Sequence, residues 1–263
     1  MKLLTLNCHA WQEENQLDKI KNLAQVIKEK QYDVIALQEV MQLIDDENDE
    51  KVKDDNYAVV LLDELMKIGV TDYRFVWDLS HIGFTHYEEG LAILTRCEIT
   101  GAKSFTVSQN TDIQNTQTRK IVNVEIKYKD KLFSIYSCHL GWYHSQEDPF
   151  LKQADQLLEK LNKNHINILM GDFNNDANRR DEGYDYLMNN GLFDTYTLAK
   201  EKDEGFTVKG KIRGWNQNDE NLRLDLILID KELKVNSSQV IFNGINEEVV
   251  SDHFGLEVKL DIN

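Results

Sequence analysis

Apolar residues recur along this chain with two periods, and the switches between them mark most of its elements. "KLLTLN" at 2–7 reads as a short buried strand. From about Asn15 to Lys30 the spacing changes to three and four, placing Leu17, Ile20, Leu23, Ala24 and Ile27 on one face of a predicted helix. "DVIALQEV" at 33–40 is a second buried strand running into Gln38 and Glu39. A helix is expected around 59–68, followed by strands near 73–77 and 91–95. "KIVNVEIKY" and "KLFSIYSCHL", joined through "KDK", alternate as a hairpin does. A helix near 150–162 leads into the strand "INILMGDFN", and "LRLDLILI", "SSQVIF" and "HFGLEVKL" supply late strands. Many strands with a few helices between them predict an α/β (or α+β) sandwich, with sheets face to face and helices outside.

One proline, Pro149, no Gly/Ser-rich stretch and no internal repeat leave no linker, so residues 1–263 are expected to form a single domain. The polar run "DDENDEKVKDDN" at 45–56 reads as a solvated surface loop. Charge changes the picture more than composition does. With 46 acidic against 30 basic residues the formal net charge is −16, which repels polyanions and disfavours nucleic acid as a partner. No window approaches the ~20 apolar residues of a membrane helix, and the opening residues are too short an apolar run for a signal peptide, so a soluble cytoplasmic protein is expected. Cys8, Cys97 and Cys138 have no metal-like spacing and sit beside apolar runs, which reads as buried free thiols.

The candidate chemistry lies where strands end. Asn7 closes the first strand and Glu39 the second; His139 closes "FSIYSCHL". Asp172 and Asn174 follow "INILM", Asp225 interrupts "LRLDLILI", and Asp252 and His253 precede the last strand. Six apolar strands that each deliver Asn, Glu, His or Asp imply one shared site. So many buried carboxylates need a cation or protons to compensate them.

"LTLNCHAW", "VIALQEV", "EEGLAILTR", "CHLGW", "MGDFNND", "LRLDLILI" and "VSDHFGLEV", in that order over nearly the whole chain, resemble the motifs of the endonuclease/exonuclease/phosphatase superfamily. That group includes deoxyribonucleases, apurinic endonucleases, neutral sphingomyelinases and inositol polyphosphate 5-phosphatases. The resemblance implies a deoxyribonuclease-like four-layer sandwich, two packed mixed sheets flanked by helices, with a divalent-metal phosphoesterase site. It assigns Glu39 as the metal-binding glutamate, Asn7 as a support for metal or phosphate, and Asp252 as a ligand or a neighbour of one. It assigns Asp172 and Asn174 to the attacking water and phosphoryl oxygens, and Asp225 and His253 to a charged Asp–His pair. It matches His139 to a second catalytic histidine with Glu89 as its carboxylate partner. Arg119 lies where many members carry a basic residue near the phosphate.

These residue types suit the reaction. A phosphate ester is anionic, so water attack must overcome repulsion. A hard cation such as Mg2+, with Mn2+ as a substitute, neutralises phosphoryl oxygens. Asp172 can orient water or accept its proton, Asn174 can donate without adding charge, and a protonated His253 is a cationic donor. In-line attack then needs mostly positioning.

Fold does not set the substrate. The acidity of the chain opposes long nucleic acids, and no hydrophobic hairpin offers a lipid-docking surface. Trp11, Trp142, Tyr143, Trp215 and Tyr87 stand beside the motifs, and as a group they are expected to contact a sugar, although any one of them alone reads better as core or rim packing. "HAWQEENQLDKIKNLAQVI", "HIGFTHYEEGLAIL" and "RGWNQNDENLRLDLILI" are similar to a Gram-positive bacterial branch that includes maltose 6'-phosphate phosphatases. The expectation is therefore a Mg2+-dependent phosphatase of a small phosphorylated sugar. The alternatives are a metal-dependent phosphodiesterase (endo/exonuclease or sphingomyelinase-like) and a binding module that has lost catalysis. The last predicts missing catalytic residues, and the main ones are present.

Overall fold

Side-chain alternation assigns each strand two destinations, and three apolar layers result. The computed structural model describes residues 1–45 and 50–262. Its first half contains β1 (Lys2–Asn7), α1 (Gln16–Lys30), β2 (Val34–Leu43), α2 (Tyr57–Lys67), β3 (Arg74–Gly83), β4 (Tyr87–Thr95), β5 (Glu98–Thr106), β6 (Lys120–Tyr128) and β7 (Lys131–His139). Then follow α3 (Phe150–Glu159), β8 (Ile166–Asp172), α4 (Gly183–Asn189), β9 (Phe193–Asp194), α5 (Thr195–Leu198), β10 (Glu201–Lys202) and β11 (Val208–Lys209). The chain closes with β12 (Asn221–Leu222), β13 (Asp225–Ile229), β14 (Lys234–Ile241) and β15 (Gly255–Asp261).

One sheet has the order β10-β14-β15-β1-β2-β4-β3 and the other β5-β6-β7-β8-β13-β9, while β11 and β12 form a separate ribbon. Both large sheets are mixed: β1–β2 and β7–β8 run parallel and most other neighbours antiparallel. Leu4, Leu6, Ile35 and Leu37 face α1 and α2. The intervening Leu3, Val34 and Ala36 meet Val124, Ile135, Ile168 and Met170 of the second sheet. Tyr136, Leu169, Leu226 and Leu228 on the far side pack under α3 and α4. Helix, sheet, sheet, helix is the four-layer sandwich expected.

The differences from expectation have local causes. Leu17, placed on the apolar face of α1, is 56% exposed; Ile20, Leu23, Ala24 and Ile27, with Val26, carry that face. α2 begins at Tyr57 because the Asn56 side chain accepts from the Ala58 N–H at 3.0 Å and caps it. β5 has no apolar alternation to reveal it, being a largely exposed edge. The polar run at 45–56 falls partly outside the described residues. Of the rest, Lys53 is buried, with its ammonium 3.0 Å from Glu88 Oε2, so this stretch is not simply solvated. Cys8, Cys97 and Cys138 are free thiols, the first and last buried. Among the described residues no helix is long and apolar enough to cross a membrane.

Candidate active site

Register brings the strand-end residues together. His139 lies beside Asp172 in the β7–β8 pairing, and Asp172 lies opposite Asp225 in the β8–β13 pairing, so three site residues form one row. Asn7 ends β1 on the facing sheet. Its Nδ2 donates to Glu39 Oε1 at 2.9 Å and to Asp172 Oδ2 at 3.3 Å, joining the two sheets. Its Oδ1 accepts from the His9 N–H at 3.2 Å. Two carboxylates on one end and a backbone donor on the other fix that amide's orientation. The Asn7 oxygen keeps a second lone pair, so this bond is compatible with its expected place beside a metal. Asn7 is a clamp on two carboxylates.

Glu39 reaches the site through a fault in β2. The β2–β4 register shifts between Leu37 and Val40, and Glu39 adopts φ 51°, a left-handed conformation unusual for this residue. Burial and the nearby Glu89 charge push the Glu39 carboxyl up to about 7. Gly171 has φ 148°, and a Cβ there would stand 1.9 Å from the Cys138 carbonyl oxygen. Only glycine lets β8 lie this close to β7.

His253 Nδ1 is 2.8 Å from Asp225 Oδ2, and its Nε2 is 3.7 Å from Asp172 Oδ2. Burial disfavours the imidazolium, but Asp225 and Asp172 outweigh it and hold His253 well above its usual range. Burial lifts Asp172 to about 6 against the opposing pull of His253, close to neutral, where a carboxylate serves as a proton acceptor. Asp172 Oδ1 accepts the Asn174 N–H at 2.8 Å, so the chain turns out of the strand there with Asn174 at φ 48°. Asn174 thus reaches the cavity by a turn rather than by strand alternation, while Phe173 is fully buried.

The second histidine differs from expectation. His139 Nε2 is 3.6 Å from Asp172 Oδ2 and 4.0 Å from Glu39 Oε1, and burial followed by the Arg119 charge holds it well below its usual range, neutral. Glu89 pairs with His81, whose Nε2 is 3.4 Å from Oε1 and which stands opposite it in the β3–β4 register. Burial pushes Glu89 up, but the His81 charge and hydrogen bond outweigh it and keep Glu89 below its ordinary value. The pair read as His139–Glu89 is therefore His81–Glu89, beside a neutral His139.

Glu39, Glu89, Arg119, His139, Trp142, Asp172, Asn174, Asp252 and His253 line one cleft of about 140 Å3. His9, His81, Gln117 and Arg213 line it too, and the motifs did not single them out. His9 Nδ1 is 2.8 Å from Glu13 and 3.6 Å from Asp252. Three aromatics expected at the substrate pack elsewhere. Trp11 donates to the Met41 carbonyl at 3.1 Å and lies edge-on to Tyr57. Tyr87 packs on the α1–α2 layer, and Tyr143 on the α3–α4 layer with its hydroxyl towards Asp181. Trp142 does line the cleft, with the Arg119 guanidinium 5.7 Å from its ring. Trp215 lines an adjoining groove that shares Gly214 with the cleft.

A sequence profile described as the endonuclease/exonuclease/phosphatase family matches residues 7–253, from the clamp Asn7 to the cationic His253. The chain belongs to that family. A solved endonuclease/exonuclease/phosphatase family protein from Leptotrichia buccalis is 44% identical, with all of both chains covered and a TM-score of 0.93. A mannosyl-6-phosphatase from Bacteroides thetaiotaomicron shares the fold at 20% identity and TM-score 0.69, again over the whole of both chains. Truncated Caenorhabditis elegans TDP2 shares it at 17% identity and TM-score 0.68, over 99% of this chain and 97% of that one. Among curated proteins none is matched by this sequence.

As a member of the endonuclease/exonuclease/phosphatase family the protein is a phosphoric ester hydrolase, and such enzymes generally depend on a divalent metal. The residues fit one. Ligand atoms of Glu39, Glu89 and His139 lie within 4.8 Å of one another, and burial with the Arg119 charge leaves His139 neutral, as a ligand must be. Glu39, with Asp252 across the cleft, would hold the ion, which when bound neutralises phosphoryl oxygen and leaving-group charge. The chain's own residues do the rest. Asp172 is placed to accept the proton of an attacking water, Asn174 and cationic His253 to donate to phosphoryl oxygens, and Arg119 to add a positive charge beside them. Each is mounted on a strand end or a hydrogen-bonded turn, so little reorganisation accompanies the reaction.

Proposed function

We propose that this hydrolase is a phosphomonoesterase that releases phosphate from a small phosphorylated sugar, with Mg2+ as cofactor and Mn2+ as its substitute. The observation that carries the reading is the lining of the cleft. Two arginines, Arg119 and Arg213, converge there in a chain of net charge −16. They stand among the carboxylates of Glu39, Glu89, Asp172 and Asp252, so positive charge is confined to a small spot, which favours a compact anion over a long polyanion. Arg119 Nε, Trp142 Nε1 and Gln117 Oε1 are buried without hydrogen-bond partners among the described residues, leaving two donors and an acceptor beside an indole face. An apolar ring face with polar groups around it is what a sugar needs. The groove beyond Gly214, lined by Arg179, Trp215, Asn218 and Asp219, gives room for a second sugar ring.

The test is phosphate release from mannose 6-phosphate, glucose 6-phosphate, maltose 6'-phosphate and an aryl phosphate, beside a bis-aryl phosphate and plasmid DNA. Each is run with Mg2+, with Mn2+ and with chelator. Chelator-sensitive release from a sugar monoester at kcat/KM at least tenfold above the bis-ester is expected. Preference for the bis-ester or nicking of DNA would overturn the reading.

A further inference from the structure

The segment 205–224 has almost no regular structure, yet its tip touches the site at three successive residues. The Arg213 guanidinium stacks 3.9 Å from the Phe84 ring centroid. Gly214, at φ 83°, lies so close to Trp142 that a Cβ would be 2.6 Å from Cζ2. Trp215 Nε1 donates to Asn174 Oδ1 at 3.1 Å. The base of the segment is anchored as well: Thr207 Oγ1 accepts the N–H groups of Leu224 and Asp225, and its carbonyl accepts the Phe254 N–H beside His253.

We infer that Trp215 is a positioning residue for Asn174, setting which end of that amide faces the reacting phosphate. Asn174 is 5% exposed, and its Nδ2 donates to the Leu140 carbonyl at 3.0 Å while its Oδ1 receives the indole N–H. One Nδ2 hydrogen therefore remains for the cleft. Turning the amide over would set donor against donor at Trp215 and acceptor against acceptor at Leu140, so the two contacts lock one orientation. Trp215 is itself held, packing with Ile212 on Val208, Leu222 and Leu224, with Arg179 5.6 Å from its ring. The ring expected to stack on sugar instead connects the substrate-facing segment to the catalytic turn.

The inference rests on the phosphoesterase reading of the site, and Trp215→Phe tests it because the ring stays and only the N–H goes. One neutral hydrogen bond is worth about 0.5–1.5 kcal/mol, roughly two- to tenfold in rate. The expected result is a kcat lower by about that factor, equal for an aryl phosphate and a sugar phosphate, with KM unchanged. In an Asn174→Ala background the same substitution should have no further effect. Unchanged kcat, an equal loss in both backgrounds, or a rise in KM confined to the sugar substrate would each overturn it. A readout independent of turnover separates this from failure of the phosphoesterase reading. With four tryptophans in the chain, Trp215→Phe identifies one indole N–H signal in a nitrogen-15 spectrum. That signal should be slow to exchange and should move in Asn174→Ala; an exposed, unmoved signal would sink the inference even if the parent turned over none of the esters.

Discussion

Asp225→Asn isolates the charge behind His253 while keeping its shape. The two side chains meet at 2.8 Å, and Asp225 and His253 are 1% and 4% exposed. Asparagine preserves an oxygen acceptor for the imidazole Nδ1–H and removes the negative charge. A hydrogen bond to a charged partner exceeds a neutral one by about 1 kcal/mol, which sets the lower bound. Unit charges about 4 Å apart interact by about 4 kcal/mol at an effective dielectric near 20, which sets the upper one. Since 1.4 kcal/mol is tenfold, the loss in kcat/KM falls between about fivefold and about a thousandfold. Near-complete burial of both partners places it in the upper half.

The sign of the pH effect follows from the same pair. Asp225 and Asp172 raise His253, so its protonated form persists above the usual histidine range and disappears only when pH passes that raised value. Removing the Asp225 charge lowers it, so the alkaline limb of kcat/KM should move to lower pH in the variant. The assay is kcat/KM against pH for an aryl phosphate at saturating Mg2+, with thermal unfolding as a control. The Asp225 N–H keeps its bond to Thr207 Oγ1, so folding should survive. A loss under threefold with an unmoved alkaline limb would refute the charge argument and take His253 out of its cationic role.

Gly171→Ala should destabilise the fold by at least about 3 kcal/mol and abolish activity, because its Cβ would meet a backbone carbonyl at 1.9 Å; denaturant melts check it, and a loss below 1 kcal/mol would contradict the close strand approach. Trp142→Leu should raise KM for a disaccharide phosphate at least fivefold more than for an aryl phosphate, whereas Trp11→Leu should lower the unfolding temperature with little change in either KM. Equal KM effects at Trp142 would make its ring structural. Glu39→Gln should abolish the Mg2+-induced rise in unfolding temperature. In chelator the parent should lose stability as pH rises from about 4.5 to about 7, because its native state retains a proton on Glu39 that the unfolded chain gives up. Glu39→Gln should lack that part of the slope, and an identical slope in both proteins would count against it.

Much of the site was legible because its residues interrupt apolar runs. His139, Asp172 and Asp225 each end or break a buried strand, and register needs only to align those strands for them to meet. Where sequence reasoning failed, the missing information was tertiary. Glu89 faces His81 because β3 and β4 pair residue 81 with residue 89, and nothing local in "HIGFTHYEEG" announces that register. Trp11, Tyr87 and Tyr143 are near the motifs in sequence, but their rings pack into helical layers; Trp11, at φ 61°, sits in a sharp turn. Arg213 belongs to a segment with neither helical nor strand periodicity, so no pattern marked it as a cation of the cleft.

The places where local preference is overridden are also the places the chemistry needs. In β2, Leu37 faces the helices, and Gln38 faces the other sheet, where it donates to Ser137 Oγ at 3.0 Å and accepts from Thr5 Oγ1 at 3.2 Å. Strict alternation would send Glu39 back among the helices, into an apolar layer where its charge could not be compensated. The register shift resolves the conflict by turning two consecutive residues, Gln38 and Glu39, away from the helical layer, at the cost of a left-handed glutamate, about 1–3 kcal/mol. Asn174 accepts a similar strain at φ 48° and is held by two bonds it donates, from its backbone N–H and its Nδ2, and one its Oδ1 accepts. His9, at φ 42°, completes the group by donating its N–H to Asn7. Three strained residues joined through Asn7 and Asp172 form one connected network at one end of the sandwich, so a change at any one of them should be felt by both carboxylates that Asn7 clamps.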